Sequence, residues 1–96
     1  MRYEQIAKIE LNASDVFVNL GFKPGFINSE KVYEYNGAYH KFTFVSDLGG
    51  FVIEGASSYD DACKNLYDDC DVLPITSDEE EILNELHNLL AKHYMS

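Results

Sequence analysis

The feature that most constrains the fold of this chain is an Asn-Gly pair between two stretches of strand-forming residues. Val32-Tyr33-Glu34-Tyr35 precedes Asn36-Gly37, and the stretch from Ala38 to Val45 follows it. Asn-Gly is a preferred pair for a type I′ turn, in which both central residues adopt positive φ, so the pattern predicts a tight β-hairpin. A second turn at Asp47-Leu48-Gly49-Gly50 adds a strand and completes a three-stranded antiparallel meander.

The two turns predict which residues lie opposite each other and which share a face. The predicted pairs are Tyr35–Ala38, Tyr33–His40, Lys31–Phe42, Ser46–Phe51 and Phe44–Ile53. Because side chains alternate between the two faces of a sheet, this register separates an aromatic face from a mixed face. The aromatic face, which we expect to form the core, holds Tyr33, Tyr35, His40, Phe42, Phe44, Phe51 and Ile53. The mixed face, which we expect to be solvated, holds Val32, Glu34, Tyr39, Lys41, Thr43, Val45, Val52 and Glu54.

Short helical segments are predicted before the meander. Residues 2–11 carry apolar side chains at helical spacing, although Ile9 and Leu11 also alternate as in a strand, so residues 2–13 fit either structure. Ser14 or Asp15 would cap a further turn of helix that ends at Gly21. The stretch Lys23-Pro24-Gly25 is expected to be a turn.

Two helices are predicted after the meander. Ser57 or Ser58 would cap the first, which runs to about Asp69, and residues 71–76 would connect it to the second. Ser77 and Glu80 form a capping box at the start of the second helix. Its apolar positions recur with helical period at Ile82, Leu83, Leu86, Leu89, Leu90 and Tyr94. The expected fold is a single α+β domain over residues 1–96: an N-terminal helical segment, a three-stranded antiparallel β-meander, and two C-terminal helices packed on one sheet face.

Negative charge is concentrated in the second half of the chain. Residues 1–48 carry five basic and six acidic side chains, whereas residues 49–96 carry two basic and eleven acidic ones, within a net charge of −10. A strongly negative side repels nucleic acid and membrane surfaces and attracts basic partners. No apolar N-terminal segment resembles a signal peptide, and two cysteines are too few for a disulfide framework, so we expect a cytoplasmic protein with reduced thiols.

Few residue combinations in the chain fit a catalytic or metal site. His87 and His93 are six residues apart on a predicted helix, which places them on different faces, and His40 lies on the expected core face. Cys63 and Cys70 match no zinc spacing. A calcium loop counted from Asp69 would require glycine at its sixth position, where Pro74 stands. We therefore predict no cofactor, no metal and no catalytic residue.

The acidic side chains are the remaining candidate site. Helix N-termini favour carboxylates, which accounts for Asp60, Asp61 and residues 78–80. The same dipole disfavours Asp68, Asp69 and Asp71 at the predicted end of the first helix, so their presence there suggests a function. The predicted partner-binding residues are Asp60, Asp61, Asp68, Asp69, Asp71, Asp78, Glu79 and Glu81, with Tyr59 and Tyr67 as aromatic anchors.

The leading hypothesis is a non-catalytic acidic protein-binding module that neutralises a basic partner. A bacterial immunity protein against a nuclease-type toxin, or a phage inhibitor that mimics nucleic acid, has this character. One alternative is a structural or housekeeping subunit that homodimerises through its sheet, either by the mixed face or by an edge strand at residues 31–35. A second alternative is an enzyme that uses His40 with Glu54, but the predicted register places these two side chains on opposite faces.

Overall fold

A computed structural model describes residues 3–74 and 78–94. The elements in chain order are α1 (Tyr3–Asn19), β1 (Lys23–Ile27), β2 (Glu30–Tyr35), β3 (Ala38–Val45), a 3-10 turn (Ser46–Leu48), β4 (Gly50–Ala56), α2 (Tyr59–Cys63), β5 (Asp68–Pro74) and α3 (Glu79–Tyr94). The strands form one antiparallel sheet in the order β1-β2-β3-β4-β5. The predicted three-stranded meander with two C-terminal helices is therefore wrong, because β1 and β5 extend the sheet on its two sides.

Two tight turns connect the first three strands of the sheet. Asn36 and Gly37 have φ of 52° and 84°, and Tyr33 lies opposite His40, as predicted. A second turn, which the sequence reading missed, joins β1 to β2 at Asn28 and Ser29, with φ of 55° and 66°. The expected turn at residues 23–25 is wrong, since these residues begin β1, an outer strand where proline is tolerated.

The turn between β3 and β4 lies one residue earlier than predicted. Val45 pairs with Gly50, so that Phe44 lies opposite Phe51 and not opposite Ile53. Gly49 ends the turn with φ of 61°, which places Gly50 inside β4. The residue opposite Phe44 thus differs from the predicted one by two positions. Because side chains alternate with a period of two, every side chain remains on the face predicted for it.

The N-terminal segment forms one continuous helix. α1 runs from Tyr3 to Asn19 and passes through Ser14 and Asp15, so neither of these residues caps a separate helix. Gly21 ends it with φ of 98°, as its position predicts. The Gly21 amide donates to the Val18 carbonyl and the Phe22 amide to the Phe17 carbonyl, both at 3.0 Å, which is the hydrogen-bond pattern of a Schellman motif.

The core lies between the aromatic face of the sheet and the two long helices, α1 and α3. Phe17 of α1 stacks on Tyr33 with ring centroids 4.0 Å apart, and Phe42 stacks on Phe51 at 4.6 Å. The periodic residues of α3 face the same core, where the buried ones are Ile82, Leu86 and Leu90. Within residues 3–74 and 78–94, no helix is both long enough and apolar enough to cross a membrane.

The segment after β4 differs most from the prediction. α2 ends at Cys63 and does not reach Asp69, because Asn65 adopts the left-handed conformation with φ of 59°. The Leu66 amide donates to the Asp61 carbonyl at 2.8 Å and closes the end of the helix. The chain then extends from Asp68 as β5, so the expected connection over residues 71–76 is wrong at least as far as Pro74.

The second face of the sheet is partly covered by residues 57–67, which we call the arm. The Tyr67 ring lies 4.0 Å from Lys41 Nζ, and Asn65 Oδ1 accepts a hydrogen bond from the same ammonium at 3.2 Å. Val32, Lys41 and Val52 are buried on this face. The expectation that the mixed face would be solvated is wrong at these three positions, because the arm was predicted to pack on the aromatic face.

Candidate functional site

An outer strand carries three of the predicted acidic residues, Asp68, Asp69 and Asp71. β5 is paired only with β4 among the described strands, and Asp68 and Asp69 are both exposed. Asp69 lies directly opposite Glu54, and Asp68 lies opposite Gly55. Like charges directly opposite each other destabilise a sheet. The earlier reason for singling out these residues, an unfavourable helix end, is wrong, but an unfavourable charge pair is present at the strand that replaces that helix.

The arm carries two further carboxylates, of which Asp61 lies beside Asp68 at the start of β5. Ser58 caps α2 by accepting the Asp61 amide at 3.1 Å, and Ser57 Oγ donates to Asp61 Oδ2 at 3.0 Å. Asp60 is exposed and forms an ion pair with Lys64 at 2.9 Å. Exposed pairs of this kind contribute little stability, so Asp60 remains available to a partner. We call Asp60, Asp61, Asp68 and Asp69 the acidic edge.

The two predicted aromatic anchors, Tyr59 and Tyr67, differ in exposure and in the contacts they make. Tyr59 is 60% exposed and its ring lies 5.8 Å from the ring of Tyr39. Tyr67 is half-buried over Lys41 and holds the arm against the sheet. Tyr59 therefore remains a predicted partner contact, while Tyr67 has a structural role in the arm.

The other predicted acidic residues make contacts within the protein. Asp71 is half-buried, with its carboxylate 3.6 Å from His93 Nε2. Asp78 caps α3 by accepting the Glu81 amide at 3.0 Å, whereas Ser77, the predicted cap, lies outside the described residues. Glu79 accepts a hydrogen bond from Asn12 Nδ2 and pairs with Lys8 at 3.5 Å, which ties α3 to α1.

Asp78 and Glu79, at the start of α3, are separate from the acidic edge. His93, in the last turn of α3, contacts β5, and the helix extends about 21 Å from there back to Glu79 at 1.5 Å per residue. The ten residues predicted as one surface thus do not form one surface. Asp60, Asp61, Asp68, Asp69 and Tyr59 belong to the arm and the start of β5, and Asp78, Glu79 and Glu81 to the start of α3. The remaining two, Asp71 and Tyr67, contact other residues of the protein.

A cavity opens at the end of the sheet where β3 begins, β4 ends and β5 begins. We call it the end cavity; its volume is about 270 Å³. Its lining residues are Ala38, His40, Gly55, Ala56, Ser57, Asp61, Leu66, Asp68 and Cys70. Two carboxylates of the acidic edge therefore border the cavity, and Asp60 and Asp69 do not.

His40 forms the base of the end cavity and is only 2% exposed. Its Nδ1 lies 3.2 Å from the Tyr33 carbonyl, which can only accept, so we assign the proton to Nδ1 and the lone pair to Nε2. A Cβ built on Gly55 would lie 3.8 Å from Nε2 and 3.0 Å from Cys70 Sγ. Glycine at this position leaves the space in which the imidazole and the thiol approach each other.

The thiol and phenol groups near His40 have defined neighbours. Cys63 and Cys70 are exposed free thiols. Burial raises the pKa of Tyr94 well above its ordinary value of 10.0, and its hydrogen bond to Cys70 raises it further, so the phenol stays protonated. In the described part of the chain, no group of three or more His, Cys, Asp or Glu side chains could hold a metal ion.

The buried imidazole predicts a pH dependence of stability. Burial lowers the pKa of His40 from 6.5, and the hydrogen bond to the Tyr33 carbonyl opposes this only in part. The unfolded chain therefore takes up the proton first as pH falls. The contribution of His40 is complete above the unfolded pKa of about 6.5 and is lost as pH falls towards the lower folded pKa, by at most about 1.4 kcal/mol per pH unit.

This dependence is measured by urea unfolding of the wild type and His40→Asn between about pH 7.5 and pH 5.5. Asparagine can still donate to the Tyr33 carbonyl but does not titrate. We expect the wild type to lose more stability than the variant on acidification. Parallel curves for the two proteins would contradict the assignment of a neutral, buried His40.

The structure also bears on the two alternative hypotheses. Residues 31–35 are not an edge strand, because β2 lies between β1 and β3. Val32 and Val52 of the mixed face are already buried within the monomer. His40 and Glu54 lie on opposite faces, as the register predicted, since Glu54 pairs with Lys41. The edge strand named for a homodimer is therefore internal, two of the four residues named for its sheet face are buried, and the sheet separates His40 from Glu54 as predicted.

Sequence reasoning missed the convergence of His40, Asp68 and Cys70 at the end cavity. These residues meet only through the pairing of β5 with β4, and the aspartates of β5 have low strand propensity. The available signal was Asn65, a residue that tolerates left-handed backbone and so predicts an early end to α2.

Comparison of the chain with protein-family models, with curated proteins and with solved structures gave no match.

Proposed function

We propose that this protein is a non-catalytic binding module that neutralises a basic protein through its acidic edge. The observation that carries the proposal is the position of Asp68 and Asp69, both exposed, on an outer strand, with Asp61 of the arm beside Asp68. Asp68 and Asp69 lie at one edge of the sheet, on its two faces, and Asp61 borders the same cavity as Asp68. A partner with Lys and Arg side chains fits such a surface by charge.

The charge arrangement favours a partner over a purely structural account. Charged side chains on an outer strand do protect it from pairing with other sheets, and this accounts for some of the aspartates of β5. It does not require an acidic residue opposite Glu54, where Asp69 destabilises the strand pair and a lysine would protect the edge equally well. A carboxylate at this position increases the negative field that a basic partner meets.

The field also defines how such a module works. In a chain of net charge −10, the acidic edge accelerates the encounter with a basic surface, and added salt weakens this effect. A protein that covers the basic surface of a nuclease or another nucleic-acid-binding enzyme prevents its substrate from binding. An immunity protein against a toxin and a phage inhibitor both act in this way, and they are the two forms of the proposal.

The test compares partners captured from nuclease-treated lysate of the source cells on three immobilised proteins. These are the wild type, the variant Asp68→Lys with Asp69→Lys, and a control with Asp47→Lys and Glu85→Lys. Both variants change the charge by the same amount. The control positions are exposed and lie outside the acidic edge, in the β3–β4 turn and in α3.

We expect a basic protein, identified by mass spectrometry, that is retained by the wild type and by the control but lost from the D68K/D69K variant. Nuclease treatment removes nucleic acid that could bridge an acidic and a basic protein. Retention of the same proteins by all three baits would contradict a role for the acidic edge. Equal loss from both variants would show that only overall charge matters.

A further inference from the structure

We propose that the end cavity binds an arginine side chain, presented by the basic partner at the acidic edge. This inference rests on the proposed function for the origin of the arginine, but the cavity can be tested without the partner. Asp61 and Asp68 border the cavity from two different elements, the arm and β5, and His40 lies at its base. The cavity therefore has a depth and a chemistry that the rest of the acidic edge lacks.

The lining of the cavity consists mainly of hydrogen-bond acceptors and apolar surface. Two carboxylates and one imidazole nitrogen can accept, and no lysine or arginine lies among the lining residues that the structure describes. Asp61 already accepts the Ser57 hydroxyl at Oδ2, which leaves Oδ1 for a ligand. Leu66, which is 58% exposed, and the methyl groups of Ala38 and Ala56 offer apolar contacts to an aliphatic stem.

His40 supplies an observation that is independent of the acidic residues. His40 is only 2% exposed, yet it lines the cavity. Nδ1 is occupied by the Tyr33 carbonyl, and Nε2 has no hydrogen-bond partner in residues 3–74 and 78–94. In these residues no side-chain nitrogen or oxygen shielded from solvent lacks a partner, so Nε2 is accessible from the cavity, where water or a ligand can donate to it. An N–H group of a bound cation would satisfy it.

The arrangement favours arginine over lysine. A guanidinium group carries five N–H donors spread over a plane, whereas an ammonium group donates from a single atom. The acceptors of the end cavity are distributed over β3, α2 and β5. A planar, forked donor can reach acceptors on several elements at once, and its hydrogen bonds to carboxylates are charge-assisted.

The first test uses N-acetyl-arginine amide, N-acetyl-lysine amide and N-acetyl-citrulline amide as probes. Citrulline has nearly the shape of arginine but carries no charge. Binding is followed in ¹⁵N-labelled protein through the amides of residues 55–57 and the Nε2 resonance of His40. We expect saturable shifts with the arginine probe and at least about tenfold weaker binding of the citrulline probe, equivalent to about 1.4 kcal/mol.

A matched pair of double variants separates the cavity from the general negative field. Asp61→Asn with Asp68→Asn removes the two carboxylates that border the cavity. Asp60→Asn with Asp69→Asn removes the two that do not, and changes the net charge by the same amount. We expect the first pair to weaken the arginine probe about tenfold and the second to leave it within about twofold of the wild type.

Three results would overturn the inference. Equal weakening by both double variants would assign binding to the field alone, and equal affinity for the lysine and arginine probes would remove the preference for a guanidinium group. Absence of a saturable shift in the wild type would show that the cavity does not bind this class of ligand. Each can occur while D68K/D69K still loses the captured partner, so failure here differs from failure of the proposed function.

Discussion

Replacing Phe17 with alanine is expected to lower the free energy of unfolding by about 3–5 kcal/mol. The ring is fully buried, stacks on Tyr33 with centroids 4.0 Å apart, and meets Phe22 edge-on at 5.2 Å. Alanine leaves a cavity between α1 and the sheet and also removes the apolar contact that accompanies the Schellman motif at the end of α1. Domains of this size unfold with about 5–15 kcal/mol in total, so the loss is a large fraction of the stability.

The measurement is equilibrium urea unfolding followed by circular dichroism, with Val18→Ala as the control. Val18 is the next residue of α1 and is 45% exposed, so we expect its replacement to cost less than about 1 kcal/mol. Phe17→Leu keeps most of the apolar volume and provides a folded variant of intermediate stability. Similar losses for Phe17→Ala and Val18→Ala would contradict the position of α1 on the sheet.

The second large effect is expected at Leu73, and it tests β5 itself. Leu73 is 2% exposed and lies opposite Phe51 in the core, whereas the adjacent Val72 is 41% exposed on the other face. Leu73→Ala is expected to cost about 2–5 kcal/mol, and Val72→Ala less than about 1 kcal/mol. Such alternation between neighbours is a property of a strand with one buried face.

The same unfolding measurement distinguishes β5 from the connection that the sequence predicted here. A loop over residues 71–76 would leave both side chains partly exposed, and both substitutions would then be mild. Mild effects at both positions would contradict the assignment of residues 68–74 to an outer strand. They would also contradict the placement of Asp68 and Asp69 on which the proposed function depends. A large effect at Leu73 alone agrees with the pairing of β4 and β5.

The central part of the fold follows from local sequence signals. Asn36-Gly37 fixes the β2–β3 hairpin, and Gly21 marks the end of α1, because each requires a backbone conformation that few other residues adopt. The period of the apolar residues in α3 identifies its buried face. The core face of β2, β3 and β4 also follows, because alternation is unchanged by a two-residue difference in register.

The outer strands could not be predicted with the same rules. β1 contains Pro24 and Gly25, which are typical of turns, and its hairpin to β2 uses Asn28-Ser29 without a glycine. The first half of β5 is rich in aspartate, which disfavours strands. Both strands are stabilised by pairing with the neighbouring strand, and such tertiary interactions override weak local preferences.

Part of the candidate site could likewise be predicted from the sequence, and part could not. The acidic composition of the second half is visible in the sequence, and so is the cap of α2. The grouping of Asp61, Asp68 and His40 around one cavity depends on the outer strand and on the turn at Asn65. Conversely, the sequence groups Asp78, Glu79 and Glu81 with the other acidic residues, but the structure places them at the far end of α3.

The measurement that tests the central claim most directly is the affinity of the captured partner for three proteins by isothermal titration calorimetry. The proteins are the wild type, D68K/D69K and D47K/E85K, each at about 50 mM and about 500 mM salt. The proposed function predicts that D68K/D69K binds at least about tenfold more weakly than D47K/E85K at low salt, and that the difference shrinks at high salt. Equal affinities of the two variants at both salt concentrations would contradict the acidic edge as the binding surface.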